Sequence, residues 1–114
     1  MRVAVIGSRE AAGFNIERIG EYLPEDCTQI ISGGAPGVDS AAESYAKKHG
    51  IAFRKILPDY VSHGRRAPLV RDTLIVEESE LVLAFWDFSS RGTSFTINEC
   101  LRLGVPVQII GLDG

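Results

Sequence analysis

Apolar positions follow two rhythms along this chain. Val3-Ala4-Val5-Ile6 and Leu81-Val82-Leu83-Ala84-Phe85-Trp86 are unbroken apolar runs, as expected of strands covered on both faces. Between them the spacing turns helical. Ile16, Ile19, Gly20 and Leu23 recur at three to four residues, with Asn15 placed to cap and Pro24 to stop the helix. Val38, Ala41, Ala42, Tyr45, Ala46 and His49 make a second helical stripe, closed by Gly50. A third helix starts at Pro68, suited to a first turn, and runs to about residue 78. A fourth spans residues 92–103 and is closed by Gly104. Shorter strands are predicted at residues 29–32, 52–57 and 107–110, with loops at 58–66 and 87–91.

Strands and helices therefore alternate with short connections, which implies a parallel sheet with helices on both faces. Arg54 and Lys55 would be poorly tolerated in a central strand, and Gln108 lies in the last one. Placing strands three and five at the edges gives the order 3-2-1-4-5. The predicted fold is thus α/β: one three-layer αβα domain over residues 1–114 with a five-stranded parallel sheet. Strands one and four meet where the strand order reverses, and ligands in such sheets bind beyond the carboxyl ends at that point.

Three loops converge there. Ser32-Gly33-Gly34-Ala35-Pro36-Gly37-Val38-Asp39 joins a strand to a helix, and its glycines permit a sharp turn and close approach. A helix N-terminus behind such a turn favours an anion. Gly7-Ser8-Arg9 follows the first strand, where an arginine fork could grip phosphate. Asp87 and Ser90 precede Gly92-Thr93-Ser94, which opens the fourth helix with N–H groups and hydroxyls. The candidate ligand-binding set is therefore Gly7, Ser8, Arg9, Ser32, Gly33, Gly34, Gly37, Asp39, Arg71, Asp87, Ser90, Gly92, Thr93 and Ser94. Structural readings stand beside these: a plain tight turn, helix capping, and an Arg71 ion pair with Asp72 or Glu78. Arg71, Asp39, Asp87 and Glu99 are the candidates for catalysis. Tyr60 and Trp86 could stack on a base, His63 could exchange a proton, and Arg65 and Arg66 could clamp a ligand's far end.

Composition adjusts this picture. Apolar residues are 45% of the 114, charged residues 24%, and the net charge is −3. That balance argues against a broad nucleic-acid surface. No apolar run suits a bilayer span or a signal peptide, so a cytoplasmic location is expected. Cys27 and Cys100 have no metal spacing and read as reduced thiols; neither metal nor cofactor is expected. There is no Ser-His-Asp order, no GxxxxGK[ST] and no GxGxxG.

Four motifs in order, GSR at residues 7–9, SGGAPGVD at 32–39, Arg71-Asp72 and SRGTS at 90–94, resemble the SLOG superfamily. This Rossmann-like group contains the Smf/DNA-processing protein A domains and the LOG (Lonely Guy) proteins. The small YspA/YpsA-related branch, with its AFWD-x-x-SRGT segment, is the nearest match. The resemblance covers nearly the whole chain and implies a nucleotide or nucleotide-derived ligand in the crevice. LOG enzymes remove a base from a nucleoside monophosphate, using a third-helix arginine, matched by Arg71, and a glutamate after the Gly-Thr pair. Phe95 and Thr96 stand where that glutamate would fall, and Asp72 replaces the usual asparagine. The expected role is therefore a sensor or carrier of a phosphorylated nucleotide-like ligand. The alternatives are a phosphoribohydrolase or N-glycosidase-type hydrolase, and an interaction module with a vestigial pocket. Self-association is left open.

Overall fold

Residues 1–113 are described by the structure, a computed structural model. β1 (Arg2–Gly7) lies at the centre of the sheet because both of its faces are apolar. Val3 and Val5 point to one layer of helices, while Ala4 and Ile6 point to the other. On either side of β1 run β2 (Gln29–Ser32) and β4 (Leu81–Trp86). β3 (Ala52–Lys55) and β5 (Val107–Gly111) close the two edges, so the order is β3-β2-β1-β4-β5 and every pairing is parallel. The registers Ala4↔Ile31, Ala4↔Val82 and Val82↔Val107 keep these alternating faces aligned across the sheet.

One face is covered by α1 (Arg18–Tyr22) and α2 (Val38–His49), the other by α4 (Ala67–Glu78) and α5 (Arg91–Leu103). Phe85 anchors the first layer. It is wholly buried, with the Phe14 and Tyr22 rings edge-on at centroid distances of 5.2 and 5.8 Å. Each such aromatic pair contributes about 0.5–1.5 kcal/mol beyond area burial. Arg18 ties α1 to the far edge by donating to the Leu112 and Gly111 carbonyls at 2.6 and 3.0 Å.

Three local expectations change. The first helix is shorter than its apolar spacing, and Asn15 accepts the Glu17 N–H at 3.0 Å in the turn that leads into it. Strand β3 stops at Lys55, three residues before Pro58. The expected loop at 58–66 contains α3 (Tyr60–His63) and a single 3₁₀ turn (Gly64–Arg66). Asp59 nucleates α3 by accepting the Ser62 N–H at 3.1 Å. None of these residues is buried.

Candidate ligand cleft at the sheet switch point

The carboxyl ends of β1 and β4 open into a cleft of about 380 Å³. Its floor is Ile6 and Gly7 at the end of β1. Ala35 and Asp39 contribute one wall, and Pro68, Leu69, Arg71 and Asp72 of α4 another. Asp87, Ser90, Arg91, Gly92, Thr93 and Thr96 form the third, with Arg9 and Glu10 at the rim. Eight of the fourteen residues expected to bind a ligand therefore line one cavity: Gly7, Arg9, Asp39, Arg71, Asp87, Ser90, Gly92 and Thr93.

The other six lie outside it. Ser8 is buried, and its Oγ accepts the Asp87 N–H at 3.0 Å. Ser32 donates its hydroxyl to the Val5 carbonyl at 2.7 Å. The three glycines of the 32–39 turn serve close packing. A side chain at Gly33 would meet Arg71 Nη1 at 2.7 Å and Asp39 Oδ2 at 2.9 Å. Gly34 has φ +75° and faces the Lys55 and Leu57 side chains. Gly37 has φ +83°, and a Cβ there would collide with the carbonyls of Ser8 and Arg9. The turn also spends donors on the protein: Ala35 N–H goes to Asp39 Oδ2 at 3.3 Å and Val38 N–H to the Ser8 carbonyl at 3.2 Å. Ser94 is half-buried, and its N–H bonds back to the Ser90 carbonyl at 3.3 Å.

The anion-attracting feature instead sits at the start of α5. Ser90 occupies the N-cap position but makes no side-chain cap. Its Oγ donates to Thr93 Oγ1 at 3.1 Å and lies 3.2 Å from Ser8 Oγ. The chain of hydroxyls runs from Ser8 through Ser90 to Thr93 in the first turn of α5. Arg91, Gly92 and Thr93 supply the first-turn N–H groups that an α-helix leaves without intrahelical partners. All three line the cleft, and nothing lies within 4 Å of where a Gly92 side chain would be.

The opposite wall is built around Arg71. This buried guanidinium donates through Nε to Asp72 Oδ1 at 2.7 Å and through Nη1 to the Gly33 carbonyl at 2.7 Å. Burial raises the Asp72 carboxyl despite that ion pair. Asp39 is 7% exposed, and loss of water pushes its carboxyl up to about 6, against the opposing pull of the Ala35 N–H and Arg71. Asp87 differs. Its Oδ1 accepts the N–H groups of Ser89 and Ser90 at 2.9 and 2.8 Å, which holds it below the usual carboxylate range.

Glu99 does not join the cleft; it accepts from Arg102 at 2.6 Å and from Thr73 at 3.1 Å. Trp86 donates to the Ser90 carbonyl at 3.1 Å and packs against Phe88, so its role is to hold the β4–α5 loop. Tyr60, His63, Arg65 and Arg66 are exposed and line no part of the cleft. Sequence reasoning missed Glu10 and Arg91, treated Thr96 only as a departure from a pattern, and read Asp72 as a departure and as the Arg71 ion-pair partner that it is. Arg91 was legible as the residue before Gly92-Thr93. No group of three or more potential metal ligands occurs among the described residues.

The family model for DNA recombination-mediator protein A matches residues 1–83. DNA processing protein A from Streptococcus pneumoniae superposes with a TM-score of 0.76 at 20% identity, over 95% of this chain and 49% of that one. The chain thus spans about half the length of that protein. The protein TM1055 superposes with a TM-score of 0.75 at 19% identity, over 93% of this chain and 71% of that one. At these identities both likenesses show a shared fold. No curated protein sequence matches the chain.

Proposed function

The chain belongs to the DNA recombination-mediator protein A family, within the SLOG superfamily, and on that premise we propose that its cleft binds a phosphorylated, nucleotide-like small molecule. The observation that carries this reading is the uncapped start of α5. Arg91, Gly92 and Thr93 present first-turn N–H groups and the Thr93 hydroxyl to a cavity large enough for a small ligand. Arg9 and Arg91 add positive charge at the rim. The phosphate lies against the start of α5, and Arg71 acts from within by fixing the glycine turn to α4. The role is binding, as a sensor or carrier in the cytoplasm. Among the described residues, no helix is long and apolar enough to cross a membrane.

A hydrolytic reading ranks second, because Asp39 is a cleft carboxyl whose burial brings its protonation into the neutral range. A DNA-binding role, suggested by the family's name, is disfavoured by the net charge of −3 and by four acidic residues in the cleft. Calorimetry with adenosine 5′-monophosphate and with adenosine tests the proposal. Saturable binding of the monophosphate alone, weakened in Arg91→Ala, supports it. Equal binding of both, or of neither, counts against it.

A further inference from the structure

The cleft has two chemically distinct ends. Around the start of α5 it offers N–H and hydroxyl donors and Arg91, beside an Asp87 carboxylate already tied to the Ser89 and Ser90 N–H groups; the facing wall holds Asp39 and Asp72. The Arg71 guanidinium stands in the same wall, with Nε donating to Asp72 and Nη1 to the Gly33 carbonyl, so one cation is shared between two carboxylates. With two carboxylates to one cation, this wall suits hydroxyl donors of the ligand better than its phosphate.

Asp39 says which part. It is 7% exposed, yet among the described residues its one hydrogen bond is the 3.3 Å contact from the Ala35 N–H. Nearby, Ser32 gives its proton to the Val5 carbonyl at 2.7 Å, and Arg71 attracts the carboxylate while its Nε and Nη1 donate elsewhere. A carboxylate taken this far from water ordinarily accepts several donors. This one is short of them and borders an open cavity. A sugar's neighbouring hydroxyl groups would supply the missing donors.

We infer that Asp39, backed by Asp72, makes the inner wall a hydroxyl-recognising surface, so that the cleft selects a ribose-bearing phosphorylated ligand over its 2′-deoxyribose counterpart. This deepens the binding role proposed above and rests on it. A site built to bond a hydroxyl rejects the analogue lacking it, because its own buried group is then left unpaired. The same hydroxyl distinguishes ribonucleotides from DNA components. A ligand held by that hydroxyl is chemically distinct from the DNA in the family's name.

Calorimetric titration of the protein with matched pairs tests it: adenosine 5′-monophosphate against its 2′-deoxy form, and ribose 5-phosphate against 2-deoxyribose 5-phosphate. The ribo member of each pair is expected to bind about tenfold tighter or more. In Asp39→Asn, whose fold is checked by circular dichroism, the gap is expected to fall to about threefold or less. Ribo and deoxy forms binding alike to the unmodified protein would overturn the inference and leave the phosphate-binding role standing. Failure of every phosphorylated compound to bind would overturn both. A ribo preference that persists unchanged in Asp39→Asn and Asp39→Ser would overturn the assignment to Asp39.

Discussion

Arg71 Nη1 donates to the Gly33 carbonyl at 2.7 Å, across 38 residues of sequence. This bond joins α4 to the glycine turn, and it explains why residue 33 has no side chain: a Cβ would sit 2.7 Å from the same nitrogen. Arg71→Ala leaves the Gly33 carbonyl without its donor and Asp72 without its cation. The expected loss is about 3 kcal/mol of stability in urea unfolding at neutral pH. The double change Arg71→Met with Asp72→Leu removes both partners and should recover most of that loss. Ligand binding should stay weak in both variants, because the wall that faces the ligand is gone.

Asp39 has a pH signature. Its carboxyl is raised from 3.8 to about 6 by burial, with Arg71 pulling down and Asp72 pushing up. Between about pH 4 and about pH 6 the folded chain holds a proton that the unfolded chain has lost. The contribution of this group to stability therefore falls as pH rises through that window, and ionised Asp39 costs the fold up to about 3 kcal/mol at neutral pH. Asp39→Asn should raise the melting temperature at neutral pH and have little effect near pH 4. Thermal melts of both proteins across this range check it; a constant difference at every pH would contradict the account.

Gly7 is a packing position. A Cβ there would collide with the Phe85 carbonyl and press to 2.7 Å on the Val38 side chain. Gly7→Ala forces β1, β4 and α2 apart and should cost about 3 kcal/mol or more in chemical unfolding. An alanine variant of undiminished stability would show that the β1–β4 junction is looser than described.

Glu99 separates the two readings of the last helix. It faces Arg102 and Thr73 and does not line the cleft. Glu99→Gln should leave affinity for adenosine 5′-monophosphate unchanged within about twofold, an effect far below the loss of a charged hydrogen bond. A larger loss in calorimetry would place that carboxylate in the site.

Much of this was legible in the residues. Arg54, Lys55 and Gln108 marked the sheet edges, and the strand order that follows is the one observed. The meeting of three loops at β1 and β4 followed from that order. The glycine turn was harder to read. Glycine reports that something approaches closely but not what approaches. Here it is the Ser8 and Arg9 carbonyls and the Arg71 guanidinium. Asp72 beside Arg71 looks like a surface ion pair in sequence; only the inward turn of α4 buries it. The 60–63 helix had a local signal, Asp59 three residues before Ser62, that its polar setting obscured.

The central claim is that the start of α5 receives the phosphate. The most direct measurement is a titration of isotope-labelled protein with adenosine 5′-monophosphate, following backbone amide resonances. The account predicts saturable shifts centred on Arg91, Gly92 and Thr93, extending to Ala35 and Asp39. Shifts confined to the exposed 60–66 segment, or no shifts at saturating ligand, would contradict it.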